Sequence, residues 1–186
     1  VEVHNLTKNF GSLKVLNDIS FNVKKGEFVC IVGPTGCGKT TFLNLLTRIY
    51  MPTKGDLLID GESADPKKHN LAFVFQERSS LPWKTVEQNP HQLSVSTEQR
   101  IIIGRAFAMN PDLLLMDEPY GQMDIKLRFY LEDEVLRLWK ETGATVLFIT
   151  HNIEEAVYLA ERVLILSNKP TTIKEDLKID LPRPRD

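Results

Sequence analysis

Apolar residues fall in short blocks separated by glycine, proline and charged turns, and two kinds of block recur along the chain. Val1 to Phe10 and Val15 to Val23 read as strands joined by the Gly11-Ser12 turn, and Asp56 to Ile59 reads as a short strand ending at the hairpin-type turn Asp60-Gly61. Phe28 to Val32, Leu71 to Phe75, Leu113 to Met116, Thr145 to Ile149 and Val163 to Leu166 are almost wholly apolar, as strands covered on both faces are. Helices fit Thr41 to Leu46, Thr97 to Met109, Ile125 to Glu141 and Ile153 to Ala160, with Asn110-Pro111 stopping the second and Gly143 the third. Apolar strands alternating with helices predict an α/β fold: a mostly parallel sheet with helices on both faces, preceded by an antiparallel β region. Ligands of such sheets gather beyond the carboxyl ends of the strands.

The link after the Phe28–Val32 strand carries the first chemistry. It reads Gly33-Pro34-Thr35-Gly36-Cys37-Gly38-Lys39-Thr40 and leads into the helix that starts at Thr41. This fits the phosphate-loop pattern G-x-x-x-x-G-K-[ST] in its proper strand–loop–helix setting. Glycines bring backbone amides close to an oxyanion, and the helix N-terminus adds partial positive charge. Lys39 is expected to reach the β- and γ-phosphates of a nucleoside triphosphate, and the Thr40 hydroxyl to ligate Mg²⁺.

A second site is legible where Leu113-Leu-Leu-Met116 runs into Asp117 and Glu118. Asp117 at the strand end suits Mg²⁺, directly or through water; Glu118, one residue on, suits a water poised for in-line attack. His151 follows the strand ending at Ile149-Thr150, which places it near the γ-phosphate in a doubly wound sheet. Gln76 likewise ends a strand and is a candidate for contact with both Mg²⁺ and the attacking water. Each of these residues taken singly has an ordinary structural reading; the phosphate loop in the same chain is what favours the catalytic one.

Composition narrows the context. The 186 residues, 42% hydrophobic and 26% charged, suit a single globular domain, and a formal net charge of −2 gives no reason to expect a nucleic-acid partner. No apolar run approaches the ~20 residues of a membrane span, and no signal peptide is visible. Cys30 and Cys37 sit in a strand and in the phosphate loop, neither placed for a disulfide, which fits a reducing cytosol.

The order of these motifs resembles the nucleotide-binding subunit of ATP-binding cassette transporters, over nearly the whole chain. In that resemblance Phe10 stands where the family stacks an aromatic on adenine, Gly33 to Thr40 match Walker A and with Thr41 bind the nucleotide, Gln76 matches the Q-loop, Asp117-Glu118 Walker B with its catalytic glutamate, Asp124 the D-loop and His151 the switch histidine. Phe75-Gln-Glu, Leu81-Pro-Trp83, Thr150-His-Asn-Ile-Glu-Glu-Ala156 and Asp180-Leu-Pro-Arg-Pro-Arg-Asp186 look like the ATPases of nitrate, sulfonate and taurine importers. The resemblance implies a P-loop NTPase (RecA-like) fold in one cassette domain, residues 1–89 forming its β and Walker A half and 90–186 its signature, Walker B and switch half. It implies ATP and Mg²⁺ as ligands, and a homodimer sandwiching two ATP molecules with Ser94 and Asp124 serving the partner's site in trans. It further implies integral membrane permease subunits docked near Gln76 to Trp83, an indirect link to a solute-binding protein, and a peripheral place on the cytoplasmic face of the cell membrane.

The chain departs from the pattern in two places. Where the family signature reads Leu-Ser-Gly-Gly, this chain has Leu93-Ser94-Val95-Ser96, and its D-loop segment reads Tyr120-Gly-Gln-Met-Asp124. Side chains at 95 and 96 stand where close backbone approach to a phosphate is expected. The family's helical subdomain is also absent between Asn89 and Pro90, leaving two readings open: a real deletion, or an internal stretch not carried in this sequence, in which case Asn89 and Pro90 are not covalent neighbours. These departures keep an ATP-binding regulatory or assembly module with little turnover as the alternative to a transport ATPase. A cassette acting in DNA repair or translation and a small-molecule kinase are weaker rivals, since there is no tandem cassette and Asp117-Glu118 suits water attack better than transfer to an acceptor.

Overall fold

The computed structural model describes residues 1–75, 95–121 and 123–185. At the N-terminal end, β1 (Glu2–Phe10) pairs antiparallel with β2 (Leu13–Asn22) and with β4 (Lys54–Ile59), and β5 (Glu62–Ser63) folds back on β4 through the Asp60-Gly61 turn. These form a four-stranded sheet in the order β2-β1-β4-β5. A second, six-stranded sheet runs β10-β9-β3-β8-β7-β6, where β3 is Phe28–Val32, β6 Leu71–Val74, β7 Leu113–Asp117, β8 Val146–Thr150, β9 Arg162–Leu166 and β10 Ile173–Lys178. All of its pairings are parallel except that of β10 with β9.

The apolar strand runs are explained by burial on both faces. Because side chains alternate along a strand, Val29, Ile31, Leu113, Leu115, Leu147, Ile149, Leu164 and Leu166 enter one core and Phe28, Cys30, Leu114, Met116, Val146, Phe148 and Val163 enter the other. The first core is closed by helix α1 (Lys39–Leu46) and by Val3, Leu6, Leu16 and Ile19 of the antiparallel sheet. The second is closed by α2 (Val95–Ala108), α3 (Ile125–Thr142) and α4 (Ile153–Leu159), which supply Phe107, Leu131 and Leu159. Each large side chain so buried contributes on the order of 1.5–3 kcal/mol.

Several boundaries differ from expectation. Helix α1 begins at Lys39, so Lys39 and Thr40 lie in its first turn rather than in the loop before it. Helix α2 begins at Val95 and β2 at Leu13. Strand β10, Ile-Lys-Glu-Asp-Leu-Lys, was not expected from the sequence, because an exposed edge strand shows no apolar alternation. Its tie is ionic: the Arg162 guanidinium of β9 forks onto the Asp176 carboxylate of β10.

The C-terminal Leu181-Pro-Arg-Pro-Arg185 stretch has a definite task. Arg185 Nη1 donates to the carbonyls of Val157 at 2.6 Å and Ala160 at 2.6 Å, and Arg183 Nη2 donates to that of Leu159 at 2.5 Å. These are the carbonyls that the end of α4 leaves without helical partners, and two cations there also oppose the negative end of the helix dipole. The Arg183 guanidinium lies 5.0 Å from the Trp139 ring centroid, which ties the segment to α3.

Candidate nucleotide site

Register brings the site together. Val32 pairs with Thr150 and Asp117 with Ile149, so Gly33, Glu118 and His151 emerge within a residue of one another at the carboxyl edge of three adjacent strands. Thr35, Gly36, Gly38, Lys39, Thr40, Thr41, Glu118 and His151 line one cleft of about 380 Å³, together with Lys169. Eight of these residues were expected from the sequence; Lys169 was not. It enters from the loop between β9 and β10, far away in sequence, on a segment held to the phosphate loop by the Thr171 hydroxyl, which donates to the Cys37 carbonyl.

The glycines at the ends of the loop are fixed by close approach. Gly38 has φ +116, and a Cβ there would stand 2.8 Å from Val15 Cγ1; a Cβ at Gly33 would stand 2.9 Å from both Cys37 Sγ and Leu166 Cβ. Lys39 is buried, and its ammonium donates to the carbonyls of Gly33 at 2.8 Å and Pro34 at 3.1 Å. Cys37 is buried too, and burial pushes its thiol up despite the nearby Lys39 ammonium, so it is a packing residue rather than a reactive one.

Glu118 is the pivot of the arrangement. Its backbone sits at φ +44, an uncommon conformation for a residue with a side chain. The strand geometry imposes it: the Glu118 amide donates to the Ile149 carbonyl at 2.9 Å, and the Glu118 carbonyl accepts from the Gly121 amide at 3.2 Å. The turn sends the Glu118 side chain away from that of Asp117. One Glu118 oxygen lies 3.9 Å from the Lys39 ammonium and the other 3.0 Å from His151 Nδ1. Asp117 points down instead and accepts a 3.0 Å hydrogen bond from the Thr40 hydroxyl. Burial raises the Asp117 carboxyl above the ordinary carboxylate value; the Thr40 bond opposes this, the Glu118 charge adds to it, and Lys39 opposes it. A buried carboxylate beside a hydroxyl, with its ionised form penalised, has the hard-oxygen donor set that a small divalent cation would relieve.

The remaining expected residues fall elsewhere. Phe10 is absent from the cleft lining: its ring meets Tyr50 edge-on at 5.2 Å, and the Lys8 ammonium lies 4.8 Å from its centroid. Asp124 caps α3, accepting from the Leu127 amide at 3.0 Å. Gln76, Leu81, Trp83, the Asn89-Pro90 step and Ser94 lie outside the described residues.

The chain is similar to proteins of known type over most of its length. The ABC transporter family pattern matches residues 16–91. The aliphatic sulfonates import ATP-binding protein SsuB of Bacillus cereus is 34% identical, covering 96% of this chain and 84% of that protein. The nitrate import ATP-binding protein NrtD of Synechococcus elongatus is 35% identical, covering 95% and 78%. A dimeric structure of MJ0796, a bacterial ABC transporter cassette, superposes with a TM-score of 0.83 at 26% identity, covering 97% of this chain and 99% of that one. The same cassette is known as a post-hydrolysis dimer bound to ADP and Pi, with a TM-score of 0.80 at 27% identity. The SsuB alignment runs over 211 positions, although this chain has 186 residues, so that relative carries residues this chain lacks. A relative from Brucella melitensis biotype 1, 35% identical over 100% of this chain and 83% of its own length, aligns over only 197 positions and shares most of the shortening.

Proposed function

Because this chain belongs to the ATP-binding cassette transporter ATPases, we propose that it powers a membrane importer for a small solute of the sulfonate or nitrate kind, and that Glu118 and His151 carry its hydrolytic step. The observation that carries the catalytic assignment is the Glu118 carboxylate, held between the Lys39 ammonium and the His151 ring at the mouth of the phosphate-loop cleft. The sulfonate and nitrate relatives support the solute class.

The chemistry follows from the groups in place. Backbone amides of the loop, the first turn of α1 and the Lys39 ammonium bind the triphosphate. Lys39 gives its charge to the phosphates without a rotamer search, because the Gly33 and Pro34 carbonyls already fix it. Thr40 and Asp117 would hold Mg²⁺, which when bound neutralises charge building on the phosphate oxygens. Glu118 orients a water for in-line attack and accepts its proton, and His151 holds Glu118 in place and lies beside the transferring group. Gln76 is assigned to Mg²⁺ and that water, Phe10 to the adenine face, and Ser94 and Asp124 to the partner's nucleotide.

Two such chains face each other across two ATP molecules in this reading, which the dimeric form of the MJ0796 cassette supports. Membrane permease subunits dock near Gln76 to Trp83, and the assembly sits on the cytoplasmic face. No helix among the described residues is long and apolar enough to cross a membrane. None of the comparisons favours a silent regulatory module.

The test is Glu118→Gln. ATP affinity by calorimetry stays near the parental value while turnover falls by about a hundredfold or more. Hydrolysis at the parental rate would remove Glu118 from the water-orienting role.

A further inference from the structure

Behind His151 lies a set of buried polar groups that the catalytic assignment does not use. Thr150 ends β8 and is 2% exposed, yet it carries a hydroxyl where an aliphatic side chain would serve packing as well. That hydroxyl donates to Glu155 Oε2 at 2.6 Å and accepts from the Asn152 amide at 3.0 Å. It therefore spans the one residue between them, His151. The other Glu155 oxygen accepts from Arg128 Nη1 of α3 at 3.3 Å. Arg128 in turn donates its backbone amide to the Asp124 carbonyl at the start of α3. Glu155 is only 8% exposed, so water cannot replace these partners without rearrangement.

The His151 side chain, by contrast, is 61% exposed. Its own packing cannot fix its direction. Its 3.0 Å contact with Glu118 must be set by the backbone turn that carries it, and the Thr150 hydroxyl is the clasp of that turn. Asn152 fixes the other side by capping α4, its Oδ1 accepting from the Glu154 amide at 2.8 Å.

We propose that Thr150 and Glu155 are positioning residues for hydrolysis: Glu155 orients the Thr150 hydroxyl, which holds the 150–152 turn so that His151 meets Glu118. This rests on the assignment of His151 and Glu118 to the hydrolytic step. Arg128 extends the network to the first turn of α3, the helix that Asp124 caps, so a shift of that helix reaches His151 through one carboxylate.

The test uses the full chain with Thr150→Val, which keeps shape and loses the hydroxyl, Thr150→Ser, which keeps the hydroxyl, and Glu155→Gln. In Thr150→Val and Glu155→Gln, ATP affinity and KM stay near parental while kcat falls by about 10- to 100-fold, the usual cost of a lost orienting partner. Thr150→Ser restores most of the rate. Adding Thr150→Val to His151→Ala costs nothing further, since both act through one ring. A readout free of activity is the NMR signal of the His151 ring, assigned by its loss in His151→Ala. In Thr150→Val it moves toward its position in Glu118→Gln, where the partner carboxylate is gone. An unchanged His151 signal in a folded Thr150→Val, a parental kcat, or an additive loss on top of His151→Ala would overturn the proposal. Parental chain that binds ATP without hydrolysing it would overturn the hydrolytic assignment instead, while the NMR shift still decides the positioning role.

Discussion

Replacing Glu132 with glutamine removes a titration that the fold makes expensive. Glu132 lies on α3, 1% exposed, and its carboxylate oxygens have no hydrogen-bond partner among the described residues. The nearest cation is Arg128, 4.0 Å away and already engaged by Glu155. Burial first, and then the charges of Glu155, Asp133 and Glu154, push Glu132 from 4.5 to about 7, with Arg128 opposing. Each pKa unit is worth ~1.4 kcal/mol of differential stabilisation, so ionising Glu132 in the folded chain costs ~3 kcal/mol relative to the unfolded one. The sign follows from proton counts. Between 4.5 and about 7 the folded chain keeps a proton that the unfolded chain has released. The stability is therefore full below 4.5, falls as pH rises through this window, and levels off above about 7. Glutamine has the same shape and stays neutral throughout. Urea unfolding of the parent and Glu132→Gln should agree near pH ~4 and diverge by ~3 kcal/mol near pH ~8, the variant being the more stable. Groups not coupled to Glu132 titrate equally in both chains, so the difference between the curves isolates Glu132 and the charges that act on it. Parallel curves across this range would refute the reasoning.

Lys39→Ala removes the buried ammonium beside Glu118 and abolishes most nucleotide binding, read by calorimetry; unchanged affinity would sink the phosphate assignment. Gly38→Ala places a methyl 2.8 Å from Val15 Cγ1 at φ +116. We expect a loss of about 1–3 kcal/mol in stability and weaker ATP binding, measured by denaturation and calorimetry. Arg185→Ala strips donors from the carbonyls of Val157, Tyr158 and Ala160, and costs about 1–3 kcal/mol in a urea titration, with ATP affinity unchanged because the cap lies away from the cleft.

The parts of this molecule visible in its sequence are those whose physics is local. Five strands of the parallel sheet could be read because burial on both faces leaves no room for polar residues. The phosphate loop was legible because strand, glycines, lysine and helix are contiguous. The Asp117-Glu118 pair was legible by position, but not the positive φ that turns one carboxylate down to Thr40 and the other out to Lys39. That division arises from the Glu118 amide bonding across to Ile149 of β8, a tertiary fact. Strand β10 escaped because its hold is an edge pairing and an ion pair rather than buried apolar area.

Lys169 shows the same limit from the functional side. A lysine before a proline in a polar loop carries no signal of its own. It becomes a cleft residue because Thr171 is pinned three times: its hydroxyl donates to the Cys37 carbonyl, its amide to the Val15 carbonyl at 2.9 Å, and its carbonyl accepts from the Asn17 amide at 2.8 Å. The loop thereby fastens the phosphate loop to β2 of the antiparallel sheet, and Val15 is also the residue that Gly38 must clear. One β2 side chain and one β9–β10 loop therefore set the shape of a cradle whose motif lies wholly between them. The motif names the chemistry, but the width of the cradle, and the second cation beside it, are set by segments that reach it only through the fold.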